Sequence, residues 1–67
     1  MQNRIRLYRK EKGLTQMEFA KILNLTPYKF RSLENGKVLP SQEMAMKMVE
    51  ILEVTIEDVF FIEETQR

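Results

Sequence analysis

The 67-residue chain contains no cysteine and no histidine. Disulfide bridges and a thiol nucleophile are therefore excluded, and the common ligands of zinc sites are missing. Two glycines, Gly13 and Gly36, are too few for a glycine-rich phosphate loop. No apolar run approaches the ~20 residues of a membrane span, and no signal peptide is visible. These absences argue against an enzyme, a metal site, a cofactor or a membrane protein, and no small-molecule ligand is evident. A cytoplasmic, nucleoid-associated location is expected.

The stretch LTQMEFAKILNLTPYKFRSLENG, which begins at Leu14, contains the start signals of two short helices. Thr15 and Glu18 have the spacing of a capping box, in which the hydroxyl and the carboxylate each accept from a backbone N–H at the helix start. Thr26 followed by Pro27 is a second start signal, because proline suits the first position of a helix. The stretch therefore predicts two helices joined by a tight turn.

Similar signals place three more helices along the chain. Gly13 ends the first helix, Ser41 caps the fourth and Thr55 opens the fifth. Between the two central helices, Asn24 allows the turn because asparagine tolerates left-handed backbone. Methionines and aliphatic residues at helical spacing in the fourth helix predict core packing. The sequence therefore predicts an all-α fold of five helices, at residues 3–12, 16–23, 27–34, 41–52 and 56–61.

This ordered set of motifs resembles the lambda-repressor-like helix-turn-helix family, which includes phage repressors, Cro proteins and the xenobiotic-response-element regulators. The resemblance implies a compact five-helix DNA-binding domain at residues 1–60. It leaves residues 61–67 as a tail, either extended or forming a short strand, that is a candidate dimerisation element. A bacterial or phage origin is expected. The resemblance depends on four motifs: Gly13-Leu14-Thr15-Gln16, Phe19-Ala20, Leu23-Asn24-Leu25-Thr26 and Leu33-Glu34-Asn35-Gly36-Lys37.

The net charge of +1 hides a separation of charge along the chain. Residues 1–37 contain nine Lys or Arg against three Glu, a net charge of +6. Residues 38–67 contain two Lys or Arg against seven Asp or Glu, a net charge of −5. The basic half coincides with the predicted helix pair, which favours phosphate binding by the basic residues. The alternative is that the basic and the acidic residues each form a solvated surface with no binding role. Double-stranded DNA is therefore the predicted partner.

The resemblance implies two kinds of DNA contact. Gln16 and the loop after the third helix are implied to hold phosphates, which sets affinity and register, whereas the exposed face of the third helix is implied to read bases. Pro27 and Tyr28 stand where several phage members carry adenine-reading glutamines, so Pro27 offers only apolar contact, for example to a thymine methyl. The predicted DNA-binding residues are Gln16, Thr26, Pro27, Tyr28, Lys29, Arg31, Ser32, Asn35 and Lys37.

Arg9 and Glu34 match two positions that form an ion pair in this family. Such a pair would fasten the first helix beneath the third. If it is partly buried, the loss of one partner destabilises the protein by more than the pair contributes. The alternative is an exposed pair of small energetic effect.

Phe61 and Ile62 are candidate dimer residues. With Phe60 they form a run of three large apolar residues, which cannot all face one core from a single helical turn. A strand at 61–65 that pairs across a two-fold axis and a tail that docks on its own core both fit. The resemblance implies a repressor that binds an inverted-repeat operator as a homodimer. The alternative function is an antitoxin-type or other protein-binding module with the same fold.

Overall fold

Five α-helices make up the part of the chain that the computed structural model describes, residues 3–60. None of these helices is long and apolar enough to span a membrane. The predicted all-α five-helix fold is confirmed, and the start of each of the second to fifth helices lies within one residue of its prediction. In chain order the helices are α1 Ile5–Glu11, α2 Gln16–Ile22, α3 Pro27–Glu34, α4 Gln42–Leu52 and α5 Ile56–Val59.

Threonine and serine hydroxyls fix where α2, α3 and α4 begin. Thr15 Oγ1 accepts from the Glu18 N–H at 3.0 Å, and the Glu18 carboxylate accepts from the Thr15 N–H at 2.9 Å, which is the predicted capping box. Thr26 Oγ1 accepts from the Lys29 N–H at 3.1 Å. Ser41 caps α4 in the same way. Each bond satisfies an N–H that has no acceptor inside its own helix, so local chemistry sets these boundaries.

The turn between α2 and α3 is as tight as the sequence predicts. Asn24 has φ +61°, in the left-handed region that asparagine tolerates. The Leu25 N–H donates to the Ala20 carbonyl at 2.8 Å and closes the end of α2. This geometry brings the N-terminus of α3 directly after the end of α2.

One buried cluster holds the helices together. The rings of Phe19 in α2 and Phe30 in α3 meet edge to face, with centroids 5.4 Å apart and planes at 67°. Ile5, Met48 and Val59 extend the cluster into α1, α4 and α5. Because Phe30 anchors one side of α3 in this core, the opposite side of α3 faces solvent.

Two helix ends differ from their predictions for a common reason. α1 begins at Ile5 rather than residue 3, and α5 ends at Val59 rather than residue 61. Asn3 and Phe60 instead form an isolated antiparallel bridge, and the Arg4 N–H donates to the Val59 carbonyl at 2.8 Å. This pairing requires extended backbone, which Phe60 has at φ −109° and ψ 117°. Bonding between distant parts of the chain therefore overrides the local helical pattern at both ends.

Thr55 and Asp58 form a second capping box, which opens α5. Their reciprocal N–H bonds measure 3.2 and 3.0 Å. The bonds from the Thr55 backbone and then its side chain lower the pKa of the Asp58 carboxyl below its ordinary 3.8. A lowered folded-state pKa means that this stabilisation is present above pH ~3.8 and is lost as the pH falls through the folded value.

We expect an NMR titration of the Asp58 carboxyl carbon to give a midpoint below 3.8. Thr55→Ala should move that midpoint only part of the way back, because the backbone donor remains. A midpoint at or above 3.8 in the unmodified chain would contradict the capping box.

Candidate nucleic-acid interface

The outward side of α3 presents the residues predicted to read bases. Phe30 and Leu33 are 0% and 2% exposed, so they occupy the buried side of the helix. Tyr28, by contrast, is 75% exposed. The other predicted residues of this helix are the exposed Pro27, Lys29 and Arg31 and the half-buried Ser32. The fold thus brings these residues together on one solvent-facing helix.

A shallow hollow of about 540 Å³ lies where the end of α1, the start of α2 and α3 meet. Gln16, Pro27 and Arg31 of the predicted set line it. Lys10 and Met17 line it too, and sequence reasoning did not select them. Lys10 could have been found from its place in the basic last turn of α1. Lys10 and Arg31 bring positive charge to this hollow from two different helices.

Arg9 and Glu34 form a buried ion pair beneath α3. The distance from Arg9 Nε to Glu34 Oε2 is 2.6 Å, and the two side chains are 7% and 0% exposed. Arg9 Nη1 also donates to the Leu14 carbonyl at 2.8 Å, in the loop between α1 and α2. The pair therefore connects α1, this loop and the end of α3.

Gln16 is held by the same carboxylate. Its Nε2 donates to Glu34 Oε1 at 2.6 Å, and the residue is half-buried. An amide has two N–H donors and one acceptor oxygen, so one donor and the oxygen stay available for another partner. The implied phosphate contact of Gln16 stays a prediction, and the geometry adds that its side chain is hydrogen-bonded to Glu34.

The loop after α3 uses its backbone donors internally. The N–H groups of Asn35, Gly36 and Lys37 donate to carbonyls within α3 at 2.9, 3.1 and 2.9 Å. Asn35 Oδ1 accepts from Arg6 Nη2 at 3.0 Å. Arg6 is another residue that sequence reasoning did not select. A phosphate at this loop would therefore meet side chains, chiefly the Asn35 amide nitrogen and the exposed Lys37 ammonium.

Charge separates between the helices as it does along the sequence. Glu43, Glu50 and Glu57, on α4 and α5, are exposed. Among the described residues an ion pair joins the two halves, with Lys12 Nζ 2.9 Å from Glu53 Oε1. The hydrogen bond and then the charge of Lys12 lower the pKa of the Glu53 carboxyl. The helix-turn-helix half thus keeps most of the basic residues, which suits a polyanionic partner.

A mostly apolar hollow lies between the start of α4 and α5. Leu39 and Met46, which are 65% and 54% exposed, line it together with Phe60. The predicted dimer residues Phe61 and Ile62, like the rest of the tail at 61–67, lie outside the described residues. The apolar hollow therefore includes Phe60, the last described residue before the predicted dimerisation element in the chain.

A protein-family model described as helix-turn-helix matches residues 5–59. The chain is 35% identical over 66 residues to an uncharacterized HTH-type transcriptional regulator of Methanocaldococcus jannaschii, covering 98% of this chain and 100% of that protein. A similarly named regulator of Methanothermobacter thermautotrophicus is 38% identical over 65 residues, 96% and 94% of the two chains. The regulator YgzD of Bacillus subtilis is 28% identical over 64 residues, 96% and 97%. Because archaeal relatives match as well, the similarity does not favour the predicted bacterial or phage origin.

Proposed function

We propose that this chain, which belongs to the lambda-repressor-like helix-turn-helix family, acts as a repressor that binds an inverted-repeat operator as a homodimer. DNA binding and transcription regulation follow from the family itself. Our proposal adds three points to these family properties: the repressor role, the symmetry of the operator and the homodimer. The observation that carries the proposal is the outward side of α3, whose exposed residues sit on a helix anchored in the core by Phe30 and Leu33.

The dimensions of α3 suit a major groove. An α-helix with its side chains is about 10–12 Å across, close to the ~12 Å width of the groove in B-DNA. The eight residues of α3 extend about 12 Å along the helix axis. Lys29 has the donor needed for guanine O6 or N7, and Tyr28 has one hydroxyl and a ring for a base edge or a thymine methyl. Ser32 can donate or accept, and Arg31 suits the phosphate backbone. The helix thus carries the donors and the apolar groups that distinguish base pairs.

Phosphate contacts beside α3 would fix its register. Gln16 comes from the start of α2, and Asn35 and Lys37 come from the loop after α3, so two separate elements would hold the DNA backbone. The Thr26 hydroxyl caps α3, so Thr26 helps to position the reading face of the helix. A domain of this size represses by occupying a promoter and blocking polymerase, which needs no effector domain.

A dimer would match the two-fold symmetry of an inverted repeat. Recognition helices of such dimers lie about one turn of DNA, ~34 Å, apart. The apolar hollow leaves the large side chains of Leu39 and Met46 exposed, and Phe60, which also lines it, directly precedes the predicted Phe61-Ile62 element in the chain. Apolar surface of this kind is buried in many homodimer interfaces.

The test is selection of binding sites from random duplex DNA, followed by affinity measurements with variants of two exposed lysines. Lys29→Ala is expected to weaken binding to the selected site about tenfold and to relax specificity at one position of each half-site. Lys47→Ala removes the same charge from α4, in the acidic half, and serves as the matched control with little effect. Affinities from fluorescence anisotropy at fixed salt check both expectations.

A palindromic consensus supports the proposal. If no sequence is enriched and binding to all DNA is weak, the proposal is wrong and the antitoxin-type alternative becomes the next hypothesis to test. If Lys47→Ala weakens binding as much as Lys29→Ala does, α3 is not the reading helix.

A further inference from the structure

One buried carboxylate, that of Glu34, connects three helices. Its Oε2 accepts from Arg9 Nε at 2.6 Å, and its Oε1 accepts from Gln16 Nε2 at 2.6 Å. Arg6 Nε lies 3.6 Å from the same Oε1. The Glu34 side chain is 0% exposed, so these groups replace the water that would otherwise solvate its charge.

The partners of Glu34 lead to residues that the proposed function places at phosphates. Gln16 is one of these residues, and it is bonded to Glu34 directly. The Arg6 guanidinium lies beside Glu34 and also donates to Asn35 Oδ1 at 3.0 Å, while its side chain remains 57% exposed. The carboxylate is therefore bonded directly to one predicted phosphate contact, Gln16, and linked through Arg6 to a second, Asn35.

Burial of the Glu34 carboxylate requires a donor at Oε1, but it does not require that this donor be the side chain of a predicted phosphate contact. Arg9 already neutralises the Glu34 charge, whereas Gln16 is neutral and loses conformational entropy when it is ordered. Ordering a contact side chain before the ligand arrives lowers the entropic penalty of binding. The bonds from Gln16 and Arg6 to Glu34 would thus preorganise contact side chains for DNA binding.

We propose that Glu34 is a positioning residue for DNA binding, which orders Gln16 directly and Asn35 through Arg6 before DNA arrives. The inference rests on the proposed function, because it concerns contacts to the operator. It has a measurable consequence: Gln16 and Glu34 act as one unit, and so do Arg6 and Asn35, so the effects of substituting the members of a unit on DNA affinity are not additive.

The first test is a double-mutant cycle on affinity for the selected operator. Gln16→Met is measured in the unmodified chain and in a background carrying Arg9→Met and Glu34→Met. That background removes both buried charges together, which proteins tolerate better than the loss of one. We expect Gln16→Met to weaken binding about tenfold in the unmodified chain, the effect of one lost hydrogen bond, and by less than about twofold in the background. An equal effect in both would overturn the proposal, because a merely structural Glu34 changes stability and not the contribution of Gln16.

A second cycle leaves the buried pair intact and tests the link between Arg6 and Asn35 separately. If the Met background does not fold, the ordering of Gln16 is tested by the NMR measurement below, which needs no substitution. Arg6→Met and Asn35→Ala are measured singly and combined. The double variant is expected to bind the operator with about the same affinity as the single variant that binds more weakly. Long-range loss of the Arg6 charge cancels in such a cycle. Additive effects would overturn the role of Arg6.

A measurement without DNA separates this inference from the proposed function. The Gln16 side-chain amide is expected to show an NMR order parameter near that of rigid backbone, ~0.85, whereas the exposed Gln42 on α4 should fall below ~0.6. Equal mobility of the two amides would overturn the inference whatever the DNA result. If the chain selects no operator, the proposed function fails and this proposal fails with it. If it selects one and the cycles are additive, this proposal alone fails.

Discussion

Arg9→Ala is expected to lower the free energy of unfolding by about 3–5 kcal/mol, because it leaves the buried Glu34 carboxylate without its cationic partner. It also removes the bond to the Leu14 carbonyl, 2.8 Å from Arg9 Nη1. Small domains lie near the lower end of the ~5–15 kcal/mol that holds folded proteins together. Most of the stability should therefore be lost, and DNA affinity should fall with it because fewer molecules are folded. Urea unfolding followed by circular dichroism measures the change directly.

The exposed pair of Lys12 and Glu53 is the matched control for this prediction. Its distance is 2.9 Å, but the two side chains are 35% and 75% exposed. Solvent screens such a pair, so Lys12→Ala should change the free energy of unfolding by less than ~1 kcal/mol. Unchanged unfolding of the Arg9→Ala protein, or equal losses in both variants, would show that burial of the Arg9–Glu34 pair has no energetic consequence.

The features that could be predicted from the sequence are those fixed by nearby residues. The Thr15–Glu18 box, the Thr26 cap and the left-handed Asn24 each involve residues at most three apart, and the structure confirms all three. Helical spacing likewise placed Phe30 and Leu33 on the buried side of α3. Local backbone chemistry therefore suffices to locate the helices and the outward side of the recognition helix.

The features that could not be predicted join residues far apart in the chain. The Asn3–Phe60 bridge ends α5 early, and the Gln16–Glu34 bond orders a side chain through a partner 18 residues away. Nothing in the neighbours of Gln16 indicates that its amide is bonded inward. Glu53 is another case, since it has φ +61° at the end of α4 where the local rule expects glycine or asparagine. Such choices depend on which helices pack together, which a single sequence does not specify.

Affinity for the selected operator is expected to fall about a thousandfold between about 50 and about 200 mM salt if the chain binds as a dimer. With roughly three phosphates neutralised per protomer, the log–log slope of affinity against salt is near −5 for a dimer and near −3 for a monomer. A fourfold rise in salt then weakens binding about a thousandfold in the first case and about sixtyfold in the second. The slope counts the counterions that are released from DNA, so it requires no assumption about which residues contact bases.

The combined variant Phe61→Asp and Ile62→Asp should change the salt slope from the dimer value near −5 to the monomer value near −3. Charged side chains in the predicted interface oppose its burial. Thr65→Asp with Gln66→Asp adds the same two charges at polar positions of the tail, so it controls for simple repulsion from DNA. Sedimentation measures the state of each protein without DNA. A Phe61/Ile62 variant that still sediments as a dimer and keeps the steep slope would move the interface away from these two residues. The apolar hollow at Leu39 and Met46 would then be the next surface to substitute, since it offers the exposed large apolar side chains that a two-fold interface needs.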